Sequence, residues 1–88
     1  MTYSVIYTAR ARRDLRNLPP DTARACIRAI SGIKEDPHSF VKKLKGSKNS
    51  PLYSLRIGEC RAIIGIEDDR LIVLVLEVGH RSTIYRKY

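Results

Sequence analysis

Acidic residues are scarce in this chain. Nine Asp and Glu stand against seventeen Lys and Arg, a formal charge of +8 over 88 residues. That excess sits at the upper edge of what solubility needs and favours a polyanionic partner, nucleic acid or an acidic protein. Cysteine is also scarce. Cys26 and Cys60 are isolated, with no C-x-x-C pair, so both read as reduced packing residues. With only two histidines beside them, no metal-ligand spacing exists, and neither a metal nor another cofactor is expected. Long apolar runs are missing: none approaches the ~20 residues that cross a bilayer. The opening MTYSVIYTARARRDL lacks the charged-then-apolar order of a secretory signal, so the expected compartment is the cytoplasm. Repeats, low-complexity tracts and linkers are absent, and one domain over residues 1–88 with a small core is expected.

What is present has a clear order. Residues 2–7 alternate with a period of two, placing Tyr3, Val5 and Tyr7 on one face of a strand. Thr8 is positioned to cap a helix over 9–18, with Ala11, Leu15 and Leu18 on one stripe and Arg10, Arg12, Arg13 and Arg16 around the rest. Pro19-Pro20 breaks it, and Asp21 is placed to cap a second helix over 22–35, whose apolar stripe is Ala23, Ile27, Ile30 and Ile33. Residues 38–50 form a basic loop carrying Lys42, Lys43, Lys45 and Lys48, with a short regular piece near Phe40–Leu44. Strands follow at 52–57, 60–67 and 70–78, separated by the turn pairs Gly58-Glu59 and Asp68-Asp69. The order βααβββ predicts an α+β domain, a small antiparallel sheet with two helices on one face and the other face more open.

Two-residue hairpins set Arg56 directly opposite Arg61 on that open face, with Leu52, Ser54, Ile63, Leu74 and Leu76, while Leu55, Ala62, Ile64, Val73 and Val75 face the helices. Like charges facing each other cost a few tenths to ~1 kcal/mol on a sheet. An anion between them reverses that sign, and the guanidinium fork suits phosphate. The last strand then delivers EVGHRSTIYRKY: Gly79 frees the strand end, and His80 and Arg81 are expected at the rim of the open face.

The pieces LYSLRIGECRAIIGI and LEVGHRSTIYR, with the element order and basic charge, resemble the RelE/ParE superfamily of toxins, the RelE branch in particular, over essentially the whole chain. The resemblance implies a RelE-like fold and a ribosome-dependent mRNA endoribonuclease that cuts in the A site without a metal. The reaction it implies is attack of a ribose 2′-OH on the adjacent phosphate. It also implies inhibition by a cognate RelB-like antitoxin. Carried over residue by residue, Arg61 and Arg81 match the family's arginines and Tyr85 its C-terminal tyrosine, while His80 is a candidate proton donor to the leaving oxygen. Where some members have two strand lysines, this chain has Leu52 and Ser54. Lys45, Lys48 and Arg56 are the nearest substitutes for phosphate binding. Arg10, Arg12, Arg13, Arg16, Lys42 and Lys43 are candidates for ribosomal RNA contact. Two alternatives share these features: a ParE-like toxin that binds DNA gyrase without cutting RNA, and an inactive basic RNA- or protein-binding relative.

Overall fold

A computed structural model of the protein describes residues 2–44 and 51–87, with Tyr85 and Lys87 described by their backbone alone. Strand β1 (Ser4–Tyr7) leads into helices α1 (Ala9–Asn17) and α2 (Pro20–Gly32). A turn of 3-10 helix (Pro37–Phe40) and a two-residue strand β2 (Lys42–Lys43) follow. The chain then forms β3 (Leu52–Ile57), β4 (Cys60–Glu67) and β5 (Ile72–His80), and continues into α3 (Arg81–Lys87). The five strands make one sheet in the order β1-β5-β4-β3-β2. The α+β expectation holds, with two corrections: β1 runs parallel to β5, so the sheet is mixed, and a third helix, α3, follows the last strand. A parallel pair needs a long crossover, and everything between these two strands supplies it. Among the described residues no helix is long and apolar enough to cross a membrane.

Thr8 caps α1 as expected. Its Oγ1 accepts the Ala11 N–H at 3.1 Å and donates to the Leu76 carbonyl at 3.0 Å. The cap of α2 differs. Pro19 is the capping residue and Pro20 opens the helix, where a missing N–H costs no helical bond. Asp21 therefore lies in the first turn, favourable to the helix dipole and ion-paired with Arg24. Ile27 turns outward at 45% exposure, and Cys26 takes the buried position in its place. The core joins Ala11, Leu15, Cys26 and Ile30 of the helices to Leu55, Ala62, Ile64, Val73 and Val75 of the strands. Burying each large aliphatic side chain contributes roughly 1.5–3 kcal/mol.

The β3–β4 hairpin is as read from the sequence. Gly58 turns at φ 57°, Ile57 faces Cys60, and Arg56 faces Arg61. The β4–β5 hairpin is not. Glu67 pairs with Ile72, so the loop is Asp68–Leu71 and Leu71 sits in it at φ 54°. The strand starts two residues later than expected and runs two residues further. A bulge also interrupts the ladder: Ile63 pairs with Glu77 while Ile64 pairs with Val75, leaving Leu76 as the extra residue. One inserted residue reverses the facing of all that follows. Val78 thus enters the core at 3% exposure, and Glu77 turns to the opposite face.

Candidate active site

The open face is built around Arg61 at the start of β4. Arg56 is its direct cross-strand partner on β3 and is exposed. Arg61 is half-buried, and its Nη1 donates to Ser54 Oγ at 2.9 Å. Ser54 belongs to the next row of the sheet, Ser54–Ile63–Glu77 across β3, β4 and β5. The guanidinium therefore reaches forward over Ile63, which is fully buried although it lies on this face. Ser54 is itself 4% exposed. Ser54 is thus used here to hold the arginine.

The bulge adds a residue that period-two counting does not place. Glu77 is 4% exposed, yet its Oε1 lies 2.6 Å from Arg10 Nη2 on α1. The same helix closes the edge of β5 beyond the reach of β1: Asp14 Oδ2 accepts the Val78 N–H at 3.1 Å and lies 3.9 Å from Arg10 Nε. Glu77 is visible as the lone acid in the apolar run LIVLVLEVG, but its facing depends on a bulge that alternation does not announce.

His80 and Arg81 mark the passage from β5 into α3. His80 pairs with Cys60, whose side chain is in the core, so His80 leaves the sheet on the helix side rather than the Arg61 side. Its Nδ1 accepts the Ser82 N–H at 3.2 Å and contacts Ser82 Oγ at 2.8 Å. A ring nitrogen that accepts an N–H is unprotonated, so the neutral ring carries its proton on Nε2. Arg81 is fixed to the β3–β4 turn twice. Its N–H donates to the Glu59 carbonyl at 2.8 Å, and its Nε lies 3.2 Å from Glu59 Oε2. The helix that follows folds back over the sheet: Ile84 is 2% exposed, and a Cβ added at Gly79, which faces Arg61, would meet Ile84 Cδ1 at 3.4 Å.

The remaining candidates divide. Arg12, Arg13 and Arg16 are exposed on α1, whereas Arg10 is drawn into the pair with Glu77. Lys42 and Lys43 are exposed on β2, the sheet edge opposite β1. Tyr85 lies within α3, but its side chain is outside the described residues, as are Lys45 and Lys48. Among the described residues no group of three or more His, Cys, Asp and Glu is gathered as a metal site. The site thus joins Arg56, Arg61 and Ser54 on one face, with Arg81 at the end of the same hairpin, and separates them from His80 by the thickness of the sheet.

The family model for the ParE toxin of type II toxin-antitoxin systems, parDE, matches residues 5–85. The chain belongs to the RelE/ParE toxin superfamily. Within it, this toxin is 35% identical to toxin RelG of Mycobacterium tuberculosis over 88 residues, covering 99% of this chain and 100% of that one. It is equally 35% identical to toxin RelE of the same organism, over 96% of this chain and 87% of the relative. Its fold matches the toxin-antitoxin complex RelBE2 of M. tuberculosis with a TM-score of 0.81 and 32% identity, over 92% of this chain and 100% of that chain. The archaeal RelE-RelB complex of Pyrococcus horikoshii gives a TM-score of 0.76 at 26% identity, over 92% and 97%. It is a type II toxin of the RelE family.

Proposed function

We propose that this RelE-family toxin is an endoribonuclease that cuts mRNA in the A site of the ribosome. The observation that carries the reading is the Arg56–Arg61 pair, opposed across β3 and β4 on a face that also holds Ser54 and abuts Arg81. Two guanidinium groups that repel each other in the free protein gain a common partner in a phosphate. Their attraction grows as the phosphate acquires charge in the transition state, so they favour reaction over mere binding.

The bond changes are these. A ribose 2′-oxygen loses its proton and attacks the adjacent phosphorus. The bond from phosphorus to the 5′-oxygen breaks, and that oxygen takes up a proton. The products are a 2′,3′-cyclic phosphate and a 5′-OH. Arg61 and Arg56 neutralise the phosphorane, and Arg81 holds a flanking phosphate. Tyr85 stacks on a base or fixes the 2′-OH. His80 lies on the other face of the sheet from Arg61, so the proton for the leaving oxygen is left to solvent or to a group of the ribosomal RNA. Leu52 and Ser54 supply no base, so proton removal falls to Lys45, Lys48 or a group of the ribosomal RNA.

Relatives in M. tuberculosis and P. horikoshii are seen in toxin-antitoxin and RelE-RelB complexes. A RelB-like antitoxin is proposed here too. Its apolar segment would lie on the exposed part of the sheet face, a groove of about 340 Å³ lined by Leu52, Gly65, Leu74 and Leu76. Ile63, on the same face, is fully buried and takes no part in that contact.

The test is primer extension on mRNA stalled in purified ribosomes, comparing wild type with Arg61→Ala, Arg81→Ala and Tyr85→Phe, and with ribosome-free mRNA. New ends inside the A-site codon that vanish in the arginine variants support the nuclease. The match to the ParE model favours a second reading, gyrase poisoning. Folded wild type that leaves mRNA intact but inhibits supercoiling by purified gyrase replaces the first reading with the second.

A further inference from the structure

Lys42 stands on the edge strand β2, directly opposite Ser54 of β3. Residues paired across a ladder share a face. Lys42 therefore rises on the open face, beside the serine that holds Arg61. Lys43 pairs instead with Tyr53, which packs on the core, so it belongs to the helix side. Two adjacent, exposed lysines are thus divided between the two faces of the sheet. Their separation follows from the β2–β3 register, which a basic loop in the sequence does not announce.

Around Ser54 the open face forms a cradle for an anion. Ser54 is short and 4% exposed, and it makes the floor. Arg61 reaches it diagonally from β4, with Nη1 2.9 Å from Ser54 Oγ. Arg56 lies two residues further along β3 on the same face, and Lys42 lies one strand outward. Direct cross-strand neighbours stand about 5 Å apart and diagonal ones about 7–8 Å, within reach of long side chains. Three cations therefore surround one small residue. Among the described residues neither Lys42 nor Arg56 makes an ion pair. The acid in the same row, Glu77 on β5, lies 2.6 Å from Arg10 Nη2. The cations repel one another in the free protein, and a phosphate over the serine floor attracts all three.

We propose that Lys42 is a substrate-contacting residue of this site, its ammonium binding the scissile phosphate beside Arg56 and Arg61 and supplying a third positive charge to the phosphorane. The place of Lys42 in an anion site follows from the register. Its share in the reaction rests on the nuclease reading above. An ammonium is a compact charge on a flexible stem, so it can follow the phosphate as its geometry changes, whereas Arg61 is held by Ser54. Charge on the phosphate oxygens grows toward the transition state, so the contact strengthens with it and its removal lowers kcat. A lysine that only meets ribosomal RNA would raise KM when removed and leave kcat alone.

The test compares Lys42→Ala, Lys42→Arg and Lys43→Ala in the full chain. Lys43→Ala removes the same charge from the same strand on the other face, so it measures the general electrostatic loss. In single-turnover cleavage on stalled ribosomes, the saturating rate of Lys42→Ala is expected about a hundredfold below that of Lys43→Ala, the scale of one lost transition-state donor. Lys42→Arg, which keeps the charge, should recover most of that rate. A second readout needs no cleavage. The lysines are reductively ¹³C-methylated, which preserves their charge, and the Lys42 signal is assigned by its loss in Lys42→Ala. A 2′-O-methylated RNA trinucleotide offers phosphates but no attacking hydroxyl. It should shift the Lys42 signal at concentrations that leave Lys43 in place. An equal shift at both lysines, or none at Lys42, overturns the proposal whether or not the protein cleaves RNA. Equal saturating rates for Lys42→Ala and Lys43→Ala overturn it as well. A selective shift in a protein whose wild type never cleaves leaves Lys42 as an anion ligand of this face and removes the nuclease reading instead.

Discussion

Asp14 Oδ2 accepts the backbone N–H of Val78 at 3.1 Å, joining residues 64 positions apart in the chain. β1 pairs only with residues 72–75 of β5, and beyond that the strand edge would be bare. Helix α1 substitutes for the missing strand. Thr8 donates to the Leu76 carbonyl and Asp14 takes the Val78 amide. Replacing Asp14 by Ala leaves that amide without its acceptor beside a core residue, which costs about 1–3 kcal/mol. At about 4–8 °C per kcal/mol for a chain of this size, the expected fall in melting temperature is large enough to read by circular dichroism. An unchanged melting temperature would mean that the edge of β5 is satisfied some other way.

Gly58 turns the β3–β4 hairpin at φ 57°, and a Cβ added there would meet nothing within 4 Å. A substitution is therefore a test of backbone strain alone. Gly58→Ala is expected to destabilise by roughly 1–2 kcal/mol, the left-handed penalty of a residue with a Cβ, offset in part by the stiffer unfolded chain. Asn tolerates this region better, so Gly58→Asn should lie between the two in melting temperature. The turn also carries Glu59, which holds Arg81, so cleavage should fall with stability in Gly58→Ala.

Tyr3, His38 and Asp68 clamp the far end of the sheet. Asp68 Oδ1 accepts the Tyr3 hydroxyl at 2.7 Å and lies 2.8 Å from His38 Nε2. The bond from Tyr3, then that from His38, hold the Asp68 carboxyl below its ordinary value of 3.8. The same carboxylate raises the Tyr3 phenol above 10.0. A depressed carboxyl stabilises the fold above its unfolded pKa and loses that contribution as pH falls through the folded one. A raised phenol stabilises the fold below its unfolded pKa and loses that contribution as pH rises through the folded one. The clamp therefore works between roughly pH 4 and pH 10. Asp68→Asn should lower the melting temperature inside that window, and the gap to wild type should close below pH 3.8. A gap that persists in acid would show that the loop, not the charge, is responsible.

Both cysteines are buried, and burial pushes the Cys26 thiol up to about 11, with Cys60 beside it adding to the shift. The thiolate is the reactive form. At pH 8 the folded protein should therefore resist a disulfide reagent such as dithionitrobenzoate, while the unfolded chain reacts with both cysteines at once. A raised thiol stabilises the fold below its unfolded pKa near 9 and loses that contribution as pH rises through the folded value of about 11. Rapid labelling of Cys26 in the folded state would refute its place in the core.

Much of this architecture is legible in the residues. The period-two runs place β3 and β4 to the residue, and the Gly58-Glu59 turn fixes their register, so Arg56 opposite Arg61 follows from counting. The Thr8 cap follows from its side-chain oxygen before an apolar stripe. What alternation does not carry is an interruption of itself. The bulge at Leu76 and the four-residue loop ending at Leu71 both preserve a plausible apolar pattern, so Glu77 and Val78 can exchange faces without a trace in it. The parallel seat of β1 is decided by long-range pairing, and the folding back of α3 shows in Ile84, which covers Gly79.

The two roles assigned to arginines on α1 separate in one experiment. Arg12, Arg13 and Arg16 are exposed, while Arg10 is committed to Glu77 at 2.6 Å. If the first three meet ribosomal RNA, replacing all of them by Ala should weaken ribosome binding. It should also flatten its dependence on salt, by roughly 0.7–0.9 in the log–log slope for each phosphate no longer neutralised. Cleavage of mRNA by the bound complex should stay unchanged. Arg10→Ala should leave the salt slope alone, because its charge faces a carboxylate and releases no counterion from RNA. Equal slopes for wild type and the triple variant would assign α1 to the solvent. RNA binding would then rest with Lys42 and Lys43 on the opposite edge of the sheet.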